Sequence, residues 1–114
     1  MNAARKLNLS PELLSEAIEC ATRQDDVEGI IVFGSYARGD ETPQSDVDLY
    51  VTLKDSADRS QSVARIGASL SACFAKWGLL NDTIIRSESL YRKNAKDRFT
   101  LEYRVAREGV PIYG

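Results

Sequence analysis

Two aspartates separated by a single residue, Asp46 and Asp48, are the residues of this sequence best suited to chemistry. They open an apolar run, and residues two apart on a β-strand point to the same side. Their carboxylates would therefore lie close together and repel, so that one takes up a proton unless a cation lies between them. A hard cation such as Mg²⁺ is the usual occupant of a site made of oxygen ligands. The pattern predicts a metal site at the start of this strand.

A glycine and a serine end the preceding apolar run, 30–33, and they are suited to binding a phosphate. Gly34 allows the backbone to turn sharply where the strand ends. Ser35 is predicted to cap a short helix over 36–38, whose first amide groups would face an anion. Together with the two aspartates, these residues predict a combined metal and phosphate site.

Two residues between the turn and the aspartates are further candidates for contacts to phosphate. Arg38 could form a charge-assisted hydrogen bond with a triphosphate, although pairing with Asp40 or Glu41 is an equal alternative. Ser45 directly precedes Asp46, and its alternative role is that of a turn or capping residue. Both residues are therefore assigned to the phosphate-binding set as hypotheses.

Composition excludes several other kinds of chemistry. The chain has no histidine, which excludes histidine general bases, triads that depend on histidine and histidine-ligated zinc. Cys20 and Cys73 are far apart in sequence, and we expect two buried thiols, with a disulfide as the alternative. The net charge of -2 comes with no basic stripe, so direct binding of nucleic acid is unsupported.

The length of 114 residues suits a single domain, which we assign to 1–114 with residues 1–9 flexible. The sequence has neither the apolar amino-terminal stretch of a signal peptide nor a run long enough to span a membrane. We therefore expect a cytoplasmic protein without a membrane partner.

Helical and strand patterns alternate along the chain, which is typical of an α/β or α+β domain. The predicted elements are a helix 11–24, a strand 30–33, a short helix 36–38, a strand 46–53, a helix 57–77 with Trp77 in the core, a strand 79–86, a helical turn within 87–94, a last helix capped by Asp97 that carries Phe99 and ends at Gly109, and an apolar tail 110–114.

The position of the predicted site fixes the expected topology. Gly34 ends the first strand and Asp46 begins the second, so the two can meet only if these strands run antiparallel. The long helix then makes a parallel crossover from the second strand to the third. That crossover places Asp82, early in the third strand, beside Asp46 and Asp48. The prediction is a small mixed sheet flanked by helices, with three carboxylates at one end that suit two Mg²⁺ ions.

Three segments of the chain resemble a known family. Residues 34–40, Gly-Ser-Tyr-Ala-Arg-Gly-Asp, and residues 45–49, Ser-Asp-Val-Asp-Leu, resemble the signature of the minimal nucleotidyltransferase branch of the DNA polymerase beta-like superfamily. Residues 107–113, Arg-Glu-Gly-Val-Pro-Ile-Tyr, are similar to the usual ending of that branch. The resemblance implies the nucleotidyltransferase fold and transfer of a nucleoside monophosphate, usually AMP from ATP, to a hydroxyl.

The resemblance also implies a role for each motif residue. Asp46 and Asp48 match the metal-binding pair, and Gly34 and Ser35 match the turn that binds the nucleotide phosphates. Asp82 matches the third catalytic and metal-binding carboxylate. The family usually flanks this aspartate with apolar residues, whereas its neighbours here are an asparagine and a threonine.

Short members of this branch often act as antitoxins in two-gene toxin–antitoxin modules. Their partner is a helical HEPN-type protein, and some members add AMP to that partner. The resemblance thus implies ATP as substrate, Mg²⁺ as cofactor and a HEPN-type partner, and it leaves a homo-oligomer open. The alternative is a non-catalytic binding partner that neutralises a toxin or completes a larger complex.

Overall fold

The computed structural model describes residues 2–23, 26–55 and 59–114 of the chain. These residues form the elements α1 (Asn2–Leu7), α2 (Pro11–Thr22), β1 (Val27–Phe33), α3 (Ser35–Arg38), β2 (Val47–Leu53), α4 (Arg59–Lys76), β3 (Asn81–Ser87), α5 (Glu88–Asn94), α6 (Leu101–Glu108) and β4 (Val110–Tyr113). The predicted helix ends at Gln24 and Ala57 lie outside the described residues. None of the described helices has the length and apolar character needed to cross a lipid bilayer.

The strands form one mixed sheet in the order β3–β2–β1–β4. β1 pairs antiparallel with β2, and β2 pairs parallel with β3, which confirms the predicted topology. The apolar tail forms β4, a strand that pairs antiparallel with β1. The predicted mixed α/β fold with flanking helices is therefore confirmed, with one more strand at its edge.

Each face of the sheet packs against its own set of helices, because alternate strand residues point to opposite faces. The larger core joins one face to α1, α2 and α4, through residues that include Ile30, Val32, Leu49, Val51, Leu14, Leu70 and Phe74. The other face meets α5 and α6 through Phe33, Tyr50, Ile84, Tyr91 and Val105. Asp48 alternates with Leu49 and so shares the second face with Tyr50. This alternation places the predicted carboxylates on the side of the sheet that α6 partly covers.

A buried hydrogen bond fixes α6 on that second face. The Tyr50 hydroxyl donates to the Glu102 Oε2 atom at 2.8 Å, and the two residues are 0% and 5% exposed. Burial and the adjacent carboxylate raise the pKa of Tyr50, so its hydroxyl stays protonated and able to donate. The bond satisfies the Oε2 atom of this buried carboxylate, while its Oε1 atom accepts Asn94 Nδ2 at 3.5 Å.

Replacing Tyr50 by phenylalanine is expected to lower the free energy of unfolding by about 1–3 kcal/mol, because Glu102 would lose this donor in a buried site. Urea denaturation followed by circular dichroism measures the change. Tyr113→Phe, on the exposed side of β4, is the matched control and should change stability by less than about 0.5 kcal/mol. Equal effects of the two substitutions would show that the Tyr50–Glu102 bond does not stabilise the fold.

The amino-terminal segment is folded, so the prediction of a flexible terminus is wrong for residues 2–9. Most of the segment forms α1, and Ala4, Leu7 and Leu9 are at most 8% exposed within the larger core. Residues three apart on a helix lie on the same side, so Ala4 and Leu7 form a short apolar stripe. The exposed charged residues between them made the sequence look uniformly polar.

The last helix begins later than predicted because the chain offers two capping residues. Thr100 is the N-cap, and its Oγ1 atom accepts the N–H of Tyr103 at 3.1 Å. Asp97 instead accepts the N–H of Phe99 at 3.0 Å in the preceding turn. Phe99 consequently lies before the helix and is 85% exposed. The predictions of Asp97 as the cap and of Phe99 on the helix are therefore wrong.

Two predictions concern the contact between α2 and α4: the burial of Trp77, which is wrong, and the state of the two cysteines. Trp77, predicted to lie in the core, follows the end of α4 and is 40% exposed. Its Nε1 atom donates to the Glu16 Oε2 atom at 3.0 Å, so the ring lies across the edge of the helix pair. Cys20 and Cys73 are free thiols, as expected, and Cys73 is buried, whereas Cys20 is only half-buried.

Candidate active site

Gly34 brings the turn after β1 into direct contact with Asp48. The glycine has φ 74° and ψ -150°, a conformation that side-chain-bearing residues rarely adopt. Phe33 is the register partner of Asp48 in the β1–β2 pair, so the turn passes over the Asp48 side chain. A methyl group at Gly34 would overlap the Asp48 Oδ2 atom and approach its Cγ to 3.0 Å. The predicted phosphate turn and the predicted metal ligand therefore lie side by side.

Ser35 is the first residue of α3, and Gly34 is its N-cap, so the prediction of Ser35 as the cap is wrong. The turn is closed by backbone hydrogen bonds from Arg38 to Gly34 at 3.0 Å and from Gly39 to Ser35 at 2.9 Å. No side chain accepts a capping hydrogen bond from the amide groups at the start of this helix. The arrangement keeps backbone donors at the turn, next to Asp48.

The three predicted carboxylates lie at one end of the β2–β3 pair. Asp48 and Asp82 are register partners, and Asp48 is half-buried while Asp82 is exposed. Asp46 is exposed and directly precedes β2, which begins one residue later than the predicted strand 46–53. In residues 2–23, 26–55 and 59–114, no three acidic or cysteine side chains are gathered closely enough to hold a metal ion. The carboxylates thus lie at the same end of these strands without forming a closed cluster.

Arg38 lies at the same edge and is paired with two carboxylates. Its Nε atom donates to Asp40 Oδ2 at 3.2 Å, and its Nη1 atom donates to Glu108 Oε2 at 2.9 Å. Both partners raise the pKa of the Arg38 guanidinium above its ordinary value. The pairing with Asp40 was one of the predicted alternatives, whereas the contact with Glu108 had no signal in the local sequence around Arg38.

Ser45 closes the loop that leads to Asp46. Its Oγ atom accepts the N–H of Thr42 at 2.9 Å, and its own N–H donates to the Thr42 carbonyl at 3.0 Å. These bonds are those of a turn residue, the alternative role considered for Ser45. The serine thereby holds the backbone that leads into β2, beside the carboxylate edge.

Comparison with known proteins identifies the family of the chain that carries this site. The model of the family "Polymerase beta, Nucleotidyltransferase" matches residues 15–114, most of the chain and all of the site. The chain belongs to this nucleotidyltransferase family. Among its relatives is a protein of Methanocaldococcus jannaschii named as a protein adenylyltransferase. The two are 31% identical over 87 residues, which are 76% of this chain and 79% of the relative.

Solved structures share the nucleotidyltransferase fold at low sequence identity. A nucleotidyltransferase of Sulfolobus solfataricus is 22% identical with a TM-score of 0.54, and the match covers 96% of this chain and 80% of that one. A toxin–antitoxin crystallised with AMP-PNP is 18% identical with a TM-score of 0.57, and the match covers 93% and 74% of the two chains.

Negative charge outweighs positive charge around Asp48 in the candidate site. Burial raises the pKa of Asp48 above its ordinary value, and the neighbouring charges of Asp82 and Asp46 raise it further. Arg38 offsets part of this rise, and Glu108 adds to it. A divalent cation bound between carboxylates would remove this repulsion, and carboxylate oxygens are the ligands that Mg²⁺ prefers. The chemistry of these side chains fits a magnesium ion, which would have to draw the three carboxylates closer together.

The raised pKa of Asp48 predicts how stability depends on pH without divalent cations. The folded protein holds this proton more tightly than the unfolded chain does, so the stabilisation is complete below the ordinary aspartate pKa. It is lost as the pH rises through the raised pKa. Thermal melts in EDTA over that range should show this loss for the wild type. Asp48→Asn should show less of it, and identical pH profiles would contradict the assignment.

Proposed function

We propose that this protein is a magnesium-dependent nucleotidyltransferase that moves AMP from ATP to a hydroxyl of a partner protein or RNA. We further propose that it acts as the antitoxin of a HEPN-type toxin–antitoxin module. The contact between the Gly34 turn and Asp48, with Asp82 in register beside it, is the observation that carries the proposal. The protein adenylyltransferase relative and the toxin–antitoxin of the same fold support it.

In the proposed reaction, the acceptor hydroxyl attacks the α-phosphorus of ATP in line with the bond to the β-phosphate. A bond forms between the acceptor oxygen and phosphorus, the α–β bridging bond breaks, and pyrophosphate leaves. Bound Mg²⁺ would lower the pKa of the hydroxyl and offset the charge of the triphosphate. Asp46, Asp48 and Asp82 would hold it, with two ions expected.

The remaining predicted site residues would position the nucleotide and assist the transfer. The amide groups that follow Gly34, with the Ser35 hydroxyl, would donate to phosphate oxygens. Arg38 would add a charge-assisted bond, and Ser45 would support the loop from the other side. Asp82, the exposed carboxylate beside Asp48, would accept the proton of the attacking hydroxyl.

A second candidate is a binding module that retains the fold without catalysis. The surroundings of Asp82 favour it: Asn81 Nδ2 donates to Thr83 Oγ1 at 2.6 Å, so polar residues pair where the family usually has apolar ones. An exposed Asp82 at the edge strand β3 is less firmly held than Asp48. The module would neutralise a toxin or complete a larger complex through contact alone.

Incubation with ATP labelled at the α-phosphate, Mg²⁺ and the product of a neighbouring gene separates the two candidates. The proposal predicts label on the partner with the wild-type protein and none with Asp46→Ala plus Asp48→Ala, whose fold is verified by circular dichroism. Label transfer by that double variant would refute the site assignment. If the wild type transfers no label while the double variant still neutralises the partner, the binding module is correct.

A further inference from the structure

Glu108 reaches the active site from the far end of the chain and is held there on both sides. It is the last residue of α6, and the next amide, that of Gly109, bonds to the Val105 carbonyl at 2.8 Å. Val110 then begins β4 and pairs with Val32 of β1. A backbone fixed by a buried helix residue and a strand pairing leaves the Glu108 side chain little freedom of position.

Both oxygens of the Glu108 carboxylate have a cationic partner. Oε2 accepts Arg38 Nη1 at 2.9 Å, and Oε1 lies 3.6 Å from Arg104 Nη2 on the preceding turn of α6. The Glu108 side chain is only 18% exposed, whereas those of Arg38 and Arg104 are 43% and 63% exposed. The carboxylate is therefore the fixed member of the group, and the arginines are the members that it orients.

Arg38 keeps donors for a ligand while it is held. Its bonds to Asp40 and Glu108 use the Nε atom and one terminal nitrogen, which is only part of the N–H donors of a guanidinium. An arginine whose fork is already oriented loses less conformational freedom when it binds an anion. The contact with Glu108 thus prepares Arg38 for a negatively charged group at the site.

We propose that Glu108 is a positioning residue, which fixes Arg38 beside the Gly34 turn so that the remaining guanidinium donors meet the phosphates of the nucleotide. This inference rests on the proposed nucleotidyl transfer for its ligand. It goes beyond that function in assigning a role to a residue 70 positions from Arg38 in the chain. Glu108 acts through Arg38 and does not touch the nucleotide.

Two readouts test this role, one of which needs no nucleotide. The first is the mobility of the Arg38 terminal nitrogens by ¹⁵N relaxation, in the wild type, Glu108→Ala and Glu108→Gln, because Nη1 is the atom that bonds to Glu108. The second is the KM for ATP and, separately, the Kd for a non-hydrolysable ATP analogue with Mg²⁺. Glu88→Ala is the matched control, since it removes a glutamate that pairs with Arg92 on α5 at 3.0 Å, outside the site.

Glu108→Ala is expected to make the Arg38 terminal nitrogens mobile and to raise KM and Kd about fivefold, with kcat little changed. Glu108→Gln keeps an acceptor for Arg38 and should recover most of the loss. In an Arg38→Ala background, Glu108→Ala should have no further effect, because the two residues act as one unit. Glu88→Ala should match the wild type in both readouts.

Unchanged Arg38 mobility in Glu108→Ala would overturn the proposal, whether or not the wild type transfers AMP. So would tighter analogue binding, which would mean that Glu108 competes with phosphate for Arg38. An additive effect of Glu108→Ala in the Arg38→Ala background would also overturn it, because a purely structural role of Glu108 predicts that result. If the wild type transfers no AMP, the proposed function fails, and the mobility readout still decides the role of Glu108.

Discussion

Asp48→Asn is expected to lower the rate of nucleotidyl transfer by at least about a hundredfold and to leave the fold intact. Even residues that only support metal ligands cost about 10–100-fold when they are changed, so loss of a ligand should cost no less. Asp48 is the member of the carboxylate group in contact with the Gly34 turn and in register with Asp82. An amide of the same size keeps the packing while removing the charge that would hold the cation.

The same substitution should stabilise the protein when Mg²⁺ is absent. The pKa of Asp48 is raised by burial and by like charges, so its ionised form is unfavourable in the folded state at neutral pH. The variant should therefore have a higher Tm in EDTA and a lower kcat in Mg²⁺. Asp97→Asn, an exposed aspartate in the turn before α6, is the control and should change neither. Full activity of Asp48→Asn would remove this residue from the site.

Gly34→Ala is expected to abolish transfer and to lower the free energy of unfolding by about 1–3 kcal/mol. Two causes combine here: a positive φ of 74° and a methyl group that overlaps the Asp48 carboxylate. The backbone turn or the carboxylate must move, and either movement would separate the proposed phosphate donors from the proposed metal ligand. Activity with labelled ATP and urea denaturation measure the two effects.

Gly78 allows the two causes to be separated. It also has φ 74°, and a methyl group there would meet nothing within 4 Å. Gly78→Ala therefore carries the backbone strain alone, and it should lower stability while transfer continues at the wild-type rate. If Gly34→Ala is no more harmful to activity than Gly78→Ala, the contact between turn and carboxylate has no catalytic importance.

Much of the site could be predicted because its parts are close in the sequence and follow strand geometry. The spacing of Asp46 and Asp48 placed them opposite Val47 and Leu49, which are buried in the larger core. The need for turn and aspartates to meet gave the antiparallel β1–β2 pair and, through the crossover, the register of Asp82. These inferences depend on short-range periodicity, which can be read from one sequence, and on general rules for the connections between strands.

The elements that could not be predicted depend on contacts between distant parts of the chain. Glu108 is 70 residues from Arg38, and nothing in the sequence around an acidic residue at a helix end indicates which residue it pairs with. The similarity of residues 107–113 to a family ending pointed to this segment without giving it a role. α1 was missed because its few small or apolar side chains lie within a charged stretch. Their burial depends on the core that they cover, which is formed by distant parts of the chain.

If the proposed function is correct, Mg²⁺ and the nucleotide phosphates meet between the Gly34 turn and the paired aspartates. A crystal structure of the protein with Mn²⁺ and a non-hydrolysable ATP analogue tests it directly. The account predicts anomalous density bound by Asp46 and Asp48, with the triphosphate on the amides that follow Gly34. A nucleotide bound at another surface, or a metal that leaves both aspartates unliganded, would contradict it.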